Sequence, residues 1–278
     1  MFETYEKTAL DCSRKTTNNY STSFSLGIKM VSKHYRWAIY SVYGLVRFAD
    51  EIVDTFERED KADLLESFKK DTYLSIEKGI SLNPILYSFQ KAANRFGISK
   101  DLIEPFFKSM ETDLNKNAYD RSQYDEYIFG SAEVVGLMCL KVFCDGNVEQ
   151  YESLKPAAKA LGAAFQKVNF LRDIKSDVED RGRVYFPNLD LANFNEDIKS
   201  EIIKEVNNDF AIAFEGIKKL PMSCRLGVYI AYRYYLRLLD KIEKTNAEHI
   251  LENRIRVANS EKLALLARSY VKYKLNVI

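Results

Sequence analysis

Asn169-Phe-Leu-Arg-Asp-Ile-Lys-Ser-Asp177 is a stretch in which a side chain with an oxygen ligand returns at every fourth position. At about 100° per residue, these three side chains and the preceding Gln166 fall on one stripe of an α-helix. Most of the neighbouring side chains are apolar and would anchor the helix in a core. Because a carboxylate at the edge of an apolar helix is costly to desolvate unless a cation meets it, the stripe indicates a cation-binding surface.

A second stretch upstream, Asp50-Glu-Ile-Val-Asp54, repeats the four-residue spacing near the end of a long predicted helix. On that helix Tyr43 and Arg47 lie on the same side as Asp50. Its two aspartates would lie about 5–6 Å apart and would repel each other unless a cation lay between them. Two such helices that face each other would form a site for Mg²⁺, which binds carboxylate oxygens and keeps its other positions for water and substrate phosphates.

The composition favours helices over sheets. Hydrophobic residues make up 46% of the 278 residues, while 11 glycines and 5 prolines are too few for a turn-rich β fold. Alternating β-branched residues do not continue beyond short runs, and neither an internal repeat nor a linker divides the chain. We therefore predict an all-α protein that forms one domain over residues 1–278.

Several classes of function are excluded by what the sequence lacks. The formal charge of +1 is not the excess of positive charge that is typical of nucleic-acid-binding proteins, so no nucleic-acid partner is expected. The two histidines, His34 and His249, have no partners at zinc-ligand spacing, and nothing indicates a nucleophilic triad. P-loop and dinucleotide-binding glycine motifs are also missing, so no nucleotide site is predicted. Oxygen ligation of hard cations is the chemistry that remains.

The cysteines and the N-terminal sequence indicate the compartment. The four cysteines form no CxxC pair and are interpreted as reduced thiols. The N-terminus lacks the pattern of a signal peptide, and no run of about 18 apolar residues is present that would cross a bilayer. A cytoplasmic protein is expected, with peripheral membrane contact for product release left open.

Other segments have weaker signals. Ser21-Thr-Ser-Phe-Ser25 is predicted to be a hydroxyl-rich loop, and the central helix is predicted to run from Pro156 to Asp180, with a loop after it. A further predicted helix over residues 124–143 contains Gly130 and Gly136. A glycine inside a helix costs about 1 kcal/mol relative to alanine, so these glycines indicate either close helix packing or room for a ligand.

Three segments resemble signatures of the squalene/phytoene synthase family. Tyr43-Gly-Leu-Val-Arg-Phe-Ala-Asp-Glu-Ile-Val-Asp54 is similar to its first aspartate-rich signature. Residues 164–177, together with Asp180-Arg-Gly-Arg-Val-Tyr-Phe-Pro187, are similar to the second signature and its trailing loop. Tyr127-Ile-Phe-Gly-Ser-Ala-Glu-Val-Val-Gly-Leu-Met138 is similar to the family's middle helix, which is rich in glycine and alanine. Bacterial phytoene synthases are the members that the chain resembles most.

The resemblance implies an isoprenoid-synthase-type fold, a single helical bundle around a central cavity. It implies a Mg²⁺-dependent prenyltransferase that joins two geranylgeranyl diphosphates head to head, through a cyclopropyl diphosphate, to give phytoene for carotenoid biosynthesis. Several Mg²⁺ ions are expected, with Mn²⁺ as an alternative ion. NADPH is not expected, because the last cation of phytoene synthesis loses a proton instead of being reduced.

Carried over position by position, the resemblance assigns roles to individual side chains. Metal binding is implied for Asp50, Asp54, Asn169, Asp173 and Asp177. Catalytic roles are implied for the four aspartates of that set and for Tyr127, whose position is linked to the second half-reaction. Substrate binding is implied for Ser21, Ser23, Tyr43, Arg47, Gln166, Arg172, Arg181, Arg183 and Tyr185.

The chain also departs from the family pattern. Thr22 stands where many members have lysine, and Glu51 replaces a frequent second aspartate. Ser131 and Glu133 replace parts of a Val-Ala-Gly pattern in the middle helix. These departures concern the pocket and leave the acidic positions unchanged.

Alternatives stay open at this stage. Within the family, the chain could be a squalene or dehydrosqualene synthase that uses farnesyl diphosphate, because tunnel depth depends on side chains from several helices. Outside catalysis, it could be a helical assembly factor with the same fold, or a module that binds an amphipathic partner. The sequence does not fix the oligomeric state or the strength of membrane association.

Overall fold

The computed structural model describes residues 1–115, 118–187, 189 and 193–275. Within these residues the chain forms thirteen α-helices and one π-helical turn, and its only β pairing is an isolated bridge between Ala118 and Val184. The prediction of an all-α fold is therefore confirmed. The helices are α1 (Phe2–Tyr20), α2 (Thr22–Lys29), α3 (Lys33–Asp54), α4 (Lys61–Lys78), α5 (Pro84–Phe96), α6 (Lys100–Asn115), α7 (Arg121–Ile128), α8 (Val134–Cys144), α9 (Val148–Glu179), α10 (Glu196–Lys219), α11 (Met222–Glu243), α12 (Ala247–Glu252) and α13 (Asn259–Lys274).

The central helix of the bundle is α9. Its start is fixed by Asn147, whose side-chain oxygen accepts a hydrogen bond from the backbone N–H of Gln150 at 3.0 Å. It packs against α8, α10, α11 and α12. Val168 and Leu171 are fully buried in these contacts, and burying each such side chain stabilises the fold by about 1.5–3 kcal/mol. The apolar residues between the polar positions of the stripe therefore anchor the helix, as the sequence predicts.

The second helix that positions the site is α3. It packs against α1, α5 and α8, with Ala38, Leu45 and Ala49 fully buried. It ends at Asp54, which is the last residue of its acidic stripe. Both acidic stripes therefore lie at the C-terminal ends of long helices that are held rigidly by the core.

A π-helical turn, Phe129–Glu133, joins α7 to α8 in one continuous helical stretch. Glycines let this stretch approach its neighbours closely: a Cβ on Gly130 would lie 2.3 Å from the carbonyl oxygen of Pro105, and one on Gly162 would lie 2.6 Å from a carbonyl oxygen of the turn. Gly136 and Gly162 also line a central cavity. At Gly136 and Gly162 the missing side chain therefore allows close helix packing and also leaves room for a ligand. Gly130 serves only the packing of the turn against α6.

The stretch Arg121–Cys144 is long and apolar enough to cross a membrane, judged by length and composition alone. This test is looser than the run of about 18 apolar residues that the sequence analysis sought, and such a run is still missing from the stretch. In the folded chain, however, 56% of its most apolar window is buried inside the protein. The stretch packs against α6 and α9, which is typical of the core helix of a bundle.

Two predicted boundaries are also wrong. Ser21 is followed by a helix and not by a loop, because its side chain accepts a hydrogen bond from the backbone N–H of Phe24 at 3.2 Å and thereby caps α2. The central helix begins at Val148 and continues through Pro156, whose missing N–H removes only one hydrogen bond of a long helix. The loop predicted after it falls partly outside the described residues, at 188 and 190–192, and the single domain over 1–278 stays a prediction.

Candidate active site

An apolar cavity of about 320 Å³ lies between α2, α3, α8, α9, α10 and α11. One face of α9 lines it continuously from Leu154 to Asn169, at the spacing of successive helical turns. Near one end, Tyr235 donates a hydrogen bond to Asn169 Oδ1 at 3.1 Å and stacks on Phe165, with the ring centroids 3.9 Å apart. Tyr43 and Gln166 also face the cavity. We call this end of the cavity, marked by Asn169 and Tyr235, its polar end.

The acidic stripes continue the cavity-lining faces of two helices. On α3 the lining ends at Val46, and on α9 it ends at Asn169. In both cases an aspartate follows one turn later and a second aspartate follows after another turn. Charged side chains therefore begin where the apolar wall stops. The four residues are the α3 aspartates, Asp50 and Asp54, and the α9 aspartates, Asp173 and Asp177.

Two arginines of the segment after α9 connect the acidic ends of α3 and α9. Arg181 contacts Asp54 Oδ2 through Nε at 3.3 Å and donates from a terminal nitrogen to Asp177 Oδ1 at 2.8 Å. Arg183 donates to Asp54 Oδ1 at 2.8 Å and is itself buried. The structure thus brings the two acidic stripes to a common cluster, with guanidinium groups between their carboxylates.

The remaining aspartates of the stripes are also paired with arginine. Arg47 binds Asp50 and the neighbouring Glu51. Arg172 donates through Nε to Asp173 Oδ1 at 2.9 Å. A second cation approaches the carboxylate of Asp173, because Arg254 Nε lies 2.7 Å from its Oδ1. Arg254 is absent from the sequence-based assignment.

A buried carboxylate on α6 is the main functional candidate that sequence reasoning missed. Asp113 accepts hydrogen bonds from the hydroxyl groups of Tyr127 at 2.6 Å and of Tyr119 and Tyr185 at 3.2 Å each. Arg183 lies 3.9 Å from it and also donates to the hydroxyl of Tyr185 at 3.2 Å. Three residues of the sequence-based assignment therefore contact the same carboxylate, that of Asp113. These are Tyr127, Tyr185 and Arg183.

Burial and mutual repulsion raise the pKa of three carboxyl groups of the cluster. Desolvation, followed by the charge of Asp54, raises the pKa of Asp50 to about 6. Desolvation and the charge of Asp173 raise the pKa of Asp177 to about 7. The pKa of Asp113 is raised to about 6, again mainly by desolvation. Perturbed carboxylates of this kind are typical of sites that bind charged ligands.

The donor set of this cluster fits a divalent cation. Six carboxylates, those of the four aspartates with Glu51 and Asp113, face five guanidinium groups, so the cluster is short of positive charge. Hard oxygen donors in excess of their counterions are what Mg²⁺ binds. In the described part of the chain, however, no three ligand-type side chains already converge as a metal site. The arginines fill the space between the carboxylates instead.

The other predicted residues lie at the start of α2 and in the segment after α9. Ser21 caps α2, and Ser23 lies in the first turn of that helix. Their neighbour Phe24 reaches the cavity wall, with its ring centroid 6.0 Å from that of Tyr43. Tyr185 stacks on Phe170, with the ring centroids 4.1 Å apart. The roles that the resemblance assigns to these residues stay predictions.

Comparisons with known proteins agree with this geometry. A family model described as squalene/phytoene synthase matches residues 17–261. A phytoene synthase of Arthrospira platensis is 28% identical over 91% of this chain and 89% of its own length. A 4,4'-diapophytoene synthase of Staphylococcus haemolyticus is 25% identical over 92% of this chain and 94% of its own length.

The fold is shared with solved structures. The crystal structure of a dehydrosqualene synthase in complex with ligand has a TM-score of 0.84 and 22% sequence identity, and the match covers 98% of this chain and 99% of that one. This likeness confirms the helical bundle that the sequence predicts. The family match extends over most of the chain and includes the acidic ends of both α3 and α9. The chain therefore belongs to the squalene/phytoene synthase family and is a prenyltransferase-type enzyme for the head-to-head condensation of prenyl diphosphates.

Proposed function

We propose that the chain is a phytoene synthase, which condenses two molecules of geranylgeranyl diphosphate, a C20 substrate, with the help of divalent cations. The observation that supports the longer substrate is the length of the cavity wall on α9. The lining from Leu154 to Asn169 corresponds to about 22 Å of helix. A wall of this length accommodates four isoprene units in extended form.

Small side chains line the part of the cavity that lies away from the polar end. α10 runs antiparallel to α9, since the ring of Phe210 packs near Phe165, whereas Gly216 meets Ala157. Ala157 and Gly216 both line the cavity about two turns beyond Phe165. Bulky side chains at these places would end the cavity sooner. Their absence is consistent with a long prenyl tail.

The arginines of the cluster have the chemistry needed to hold a diphosphate. Arg47, Arg172, Arg181 and Arg183 present planar donor pairs, which suit the non-bridging oxygens of phosphate groups. Each now contacts a carboxylate of the acidic stripes that continue the cavity-lining faces of α3 and α9. Together they would fix the diphosphate so that the prenyl tail enters the apolar cavity.

The carboxylates would hold the cations. Asp50, Asp54, Asn169, Asp173 and Asp177 are the residues that we propose for this role. When bound, Mg²⁺ supplies positive charge that stabilises the departing diphosphate. The protein itself supplies the arginines and a fixed site, so little reorganisation is needed when the C–O bond ionises.

Aromatic side chains protect the reacting carbons. Three aromatic rings pack against one another at the polar end, with ring centroids 3.9 to 6.2 Å apart. They belong to Phe24, Phe165 and Tyr235. Their faces can stabilise an allylic cation through the ring quadrupole. The apolar wall excludes water, which would otherwise capture the cation as an alcohol.

The identity of the hydrocarbon product tests the proposed function. We expect purified enzyme with Mg²⁺ to convert geranylgeranyl diphosphate to phytoene at least about tenfold more efficiently than it converts farnesyl diphosphate to a C30 hydrocarbon, a difference of about 1.4 kcal/mol in transition-state binding. Products are identified by liquid chromatography and mass spectrometry. A C30 product alone would overturn the choice of substrate but not the type of reaction.

A substitution in the cavity wall tests whether the cavity selects substrates by the length of the prenyl tail. Ile217 lines the cavity on the part of α10 that lies beyond Gly216. Ile217→Phe should lower kcat/KM for the C20 substrate more than for the C15 substrate, because the added ring shortens the cavity. An equal decrease in kcat/KM for both substrates would show that this end of the cavity does not determine which length of prenyl tail is accepted.

The hydrogen bond between Tyr127 and Asp113 provides a second test. Tyr127 and Tyr119 both donate to Asp113, and burial raises the pKa of Tyr127 so that it stays protonated. If Tyr127 acts in the second half-reaction, Tyr127→Phe should slow formation of the hydrocarbon by about tenfold or more while the cyclopropyl diphosphate accumulates. Tyr119→Phe is the matched control and should change the rate less than about threefold. Equal effects would mean that both hydroxyl groups merely position Asp113.

A further inference from the structure

The ammonium group of Lys262, on α13, lies beside the first residue of α2. It donates a hydrogen bond to the hydroxyl oxygen of Thr22 at 2.8 Å, and it lies 5.4 Å from the ring centroid of Tyr234. Within the described residues no carboxylate pairs with it, and the neighbouring acid, Glu261, is held by two cations of α11. An ammonium group has three donors, so two donors of Lys262 are left for another acceptor.

This ammonium group lies close to the residues that we propose for diphosphate binding. Two residues before Thr22, the ring centroid of Tyr20 lies 4.3 Å from the guanidinium carbon of Arg47. Two residues after Thr22, the ring of Phe24 lies 6.1 Å from that of Tyr235, which marks the polar end of the cavity. Because two residues of chain span at most about 7 Å, Thr22 and its ammonium partner lie near both of these contacts.

The aromatic neighbour of Lys262 leads to the same end of the cavity. The ring of Tyr234 packs edge to face against that of Tyr235, with the ring centroids 5.4 Å apart. Tyr235 in turn donates to Asn169, which we propose as a ligand of the cations. Two independent sets of contacts, one through α2 and one through α11, therefore place the ammonium group beside the polar end.

Position 22 is also where the chain departs from the family pattern. The resemblance places lysine there in many members, between two serines with an implied role in substrate binding, whereas this chain has threonine. The structure brings an ammonium group to the same position from α13, 240 residues further along the chain. The family match ends at residue 261, so it assigns no role to Lys262. The departure at position 22 therefore coincides with a lysine that another helix supplies.

A purely structural role explains the position of Lys262 less well. α13 is already joined to α11, because the hydroxyl of Tyr273 donates to the carbonyl oxygen of Met222 at 3.1 Å and Glu261 is paired with cations of α11. A threonine hydroxyl carries no charge, so the hydrogen bond to Thr22 leaves the positive charge of Lys262 uncompensated. An anion bound at this place would compensate it.

We propose that Lys262 binds the diphosphate of a prenyl substrate in place of the lysine that many family members have at position 22. Thr22 holds the ammonium group, and the remaining donors bind non-bridging oxygens of the diphosphate. The positive charge of Lys262 adds to that of Arg47 at the same end of the cavity. This role rests on the family reaction of prenyl diphosphates and not on the choice of the C20 substrate, because Lys262 contacts only the diphosphate.

Binding of inorganic pyrophosphate in the presence of Mg²⁺ measures this contact without a prenyl tail. In calorimetric titration of the whole chain, Lys262→Met should weaken pyrophosphate binding by about tenfold or more, because a charge-assisted hydrogen bond is lost. Addition of Thr22→Lys to Lys262→Met should restore the affinity to within about threefold of the unchanged protein, because it returns a lysine to the same place. Lys272→Met is the matched control, since it removes another lysine of α13, and should bind like the unchanged protein.

A second variant separates the charge from the hydrogen bond. Thr22→Ala removes the hydroxyl but keeps the ammonium group, so it should weaken pyrophosphate binding by less than about threefold. Circular dichroism should show the same helix content and the same melting temperature, within a few degrees, for Lys262→Met and the unchanged protein, because other contacts hold α13 in place.

Four outcomes would overturn the proposal. Equal binding by Lys262→Met and the unchanged protein, or no binding by the unchanged protein, would show that the ammonium group does not reach the diphosphate. Equal losses in Thr22→Ala and Lys262→Met would show that the contact only joins α13 to α2. No recovery with Thr22→Lys would show that the two positions do not serve the same ligand. Failure of the phytoene assay would leave the pyrophosphate result standing, so the two proposals fail separately.

Discussion

Replacement of Asp50 by asparagine is expected to lower turnover by about a hundredfold or more, and Asp173→Asn should have an effect of the same order. Asparagine keeps the size of the side chain but removes the negative charge that we propose to hold the cations. Asp50 and Asp173 lie on different helices, α3 and α9, so equal losses would indicate that both helices serve one site. The measurement is kcat for hydrocarbon formation at saturating Mg²⁺ and substrate.

The stability of these variants separates a catalytic effect from misfolding. Because the folded protein raises the pKa of Asp50 to about 6, its charged form destabilises the fold at neutral pH, and Asp50→Asn should be at least as stable as the unchanged enzyme. Asp63→Asn, an exposed position on α4, is the matched control and should keep full activity. EDTA should abolish turnover of the unchanged enzyme, and added Mg²⁺ should restore it. Activity that survives EDTA, or full activity in both variants, would reject the proposed cation site.

Replacement of Arg183 by methionine is expected to destabilise the protein by about 3–5 kcal/mol at pH 8. Arg183 is buried, donates to Asp54 at 2.8 Å and lies 3.9 Å from Asp113. Without it, the buried carboxylate of Asp113 and the half-buried carboxylate of Asp54 lose their shared counterion, and methionine cannot hydrogen-bond to either. The measurement is the free energy of unfolding in urea, followed by circular dichroism.

The destabilisation caused by this substitution should depend on pH. The folded protein already raises the pKa of Asp113 from 3.8 to about 6, and loss of Arg183 raises it further. A carboxyl group with a raised pKa in the folded state binds more protons when folded, so stability increases as the pH falls through that pKa toward 3.8. Arg183→Met should therefore lose less stability at pH 5 than at pH 8.

Two further variants make the interpretation specific. Arg181→Met should lose less stability than Arg183→Met, because the side chain of Arg181 is 31% exposed and that of Arg183 only 7%. Combining Arg183→Met with Asp113→Asn should recover part of the lost stability at pH 8, since the stranded charge is removed. Equal stability of Arg183→Met and the unchanged protein at pH 8 would show that Arg183 does not hold this network together.

The periodicity of the sequence was sufficient to predict the fold class and the two acidic helices. Apolar residues around Asn169 and Asp173 are buried as their spacing indicates, and both acidic stripes extend the cavity wall. Local capping was harder to predict. A hydroxyl-rich run such as the one after Ser21 is compatible with either a loop or a helix start, and only the hydrogen bond to Phe24 decides between them.

The hydrogen bonds and the ion pair of Asp113 could not be predicted from the spacing of residues in the sequence. Its partner Arg183 is far away along the chain, and their contact exists only after α6 and α9 have packed in the bundle. A signal was present, however, because Phe106, Met110 and Asp113 follow helical spacing on one face of α6 and all three are buried. A carboxylate on an apolar helix face has to find partners or be protonated, which is the argument that located the two acidic stripes.

The π-helical turn at Phe129–Glu133 fixes how the two halves of its helical stretch are oriented around their common axis. Tyr127, before the turn, reaches Asp113, while Val135 and Gly136, after it, face the cavity. A π-helical turn holds one residue more than an α-helix of the same path. Deleting a single residue there would rotate one half against the other by about 100°. Deletion or insertion of one residue in this segment would thus change the orientation of Tyr127 relative to the cavity-lining residues Val135 and Gly136, while the stretch stays helical.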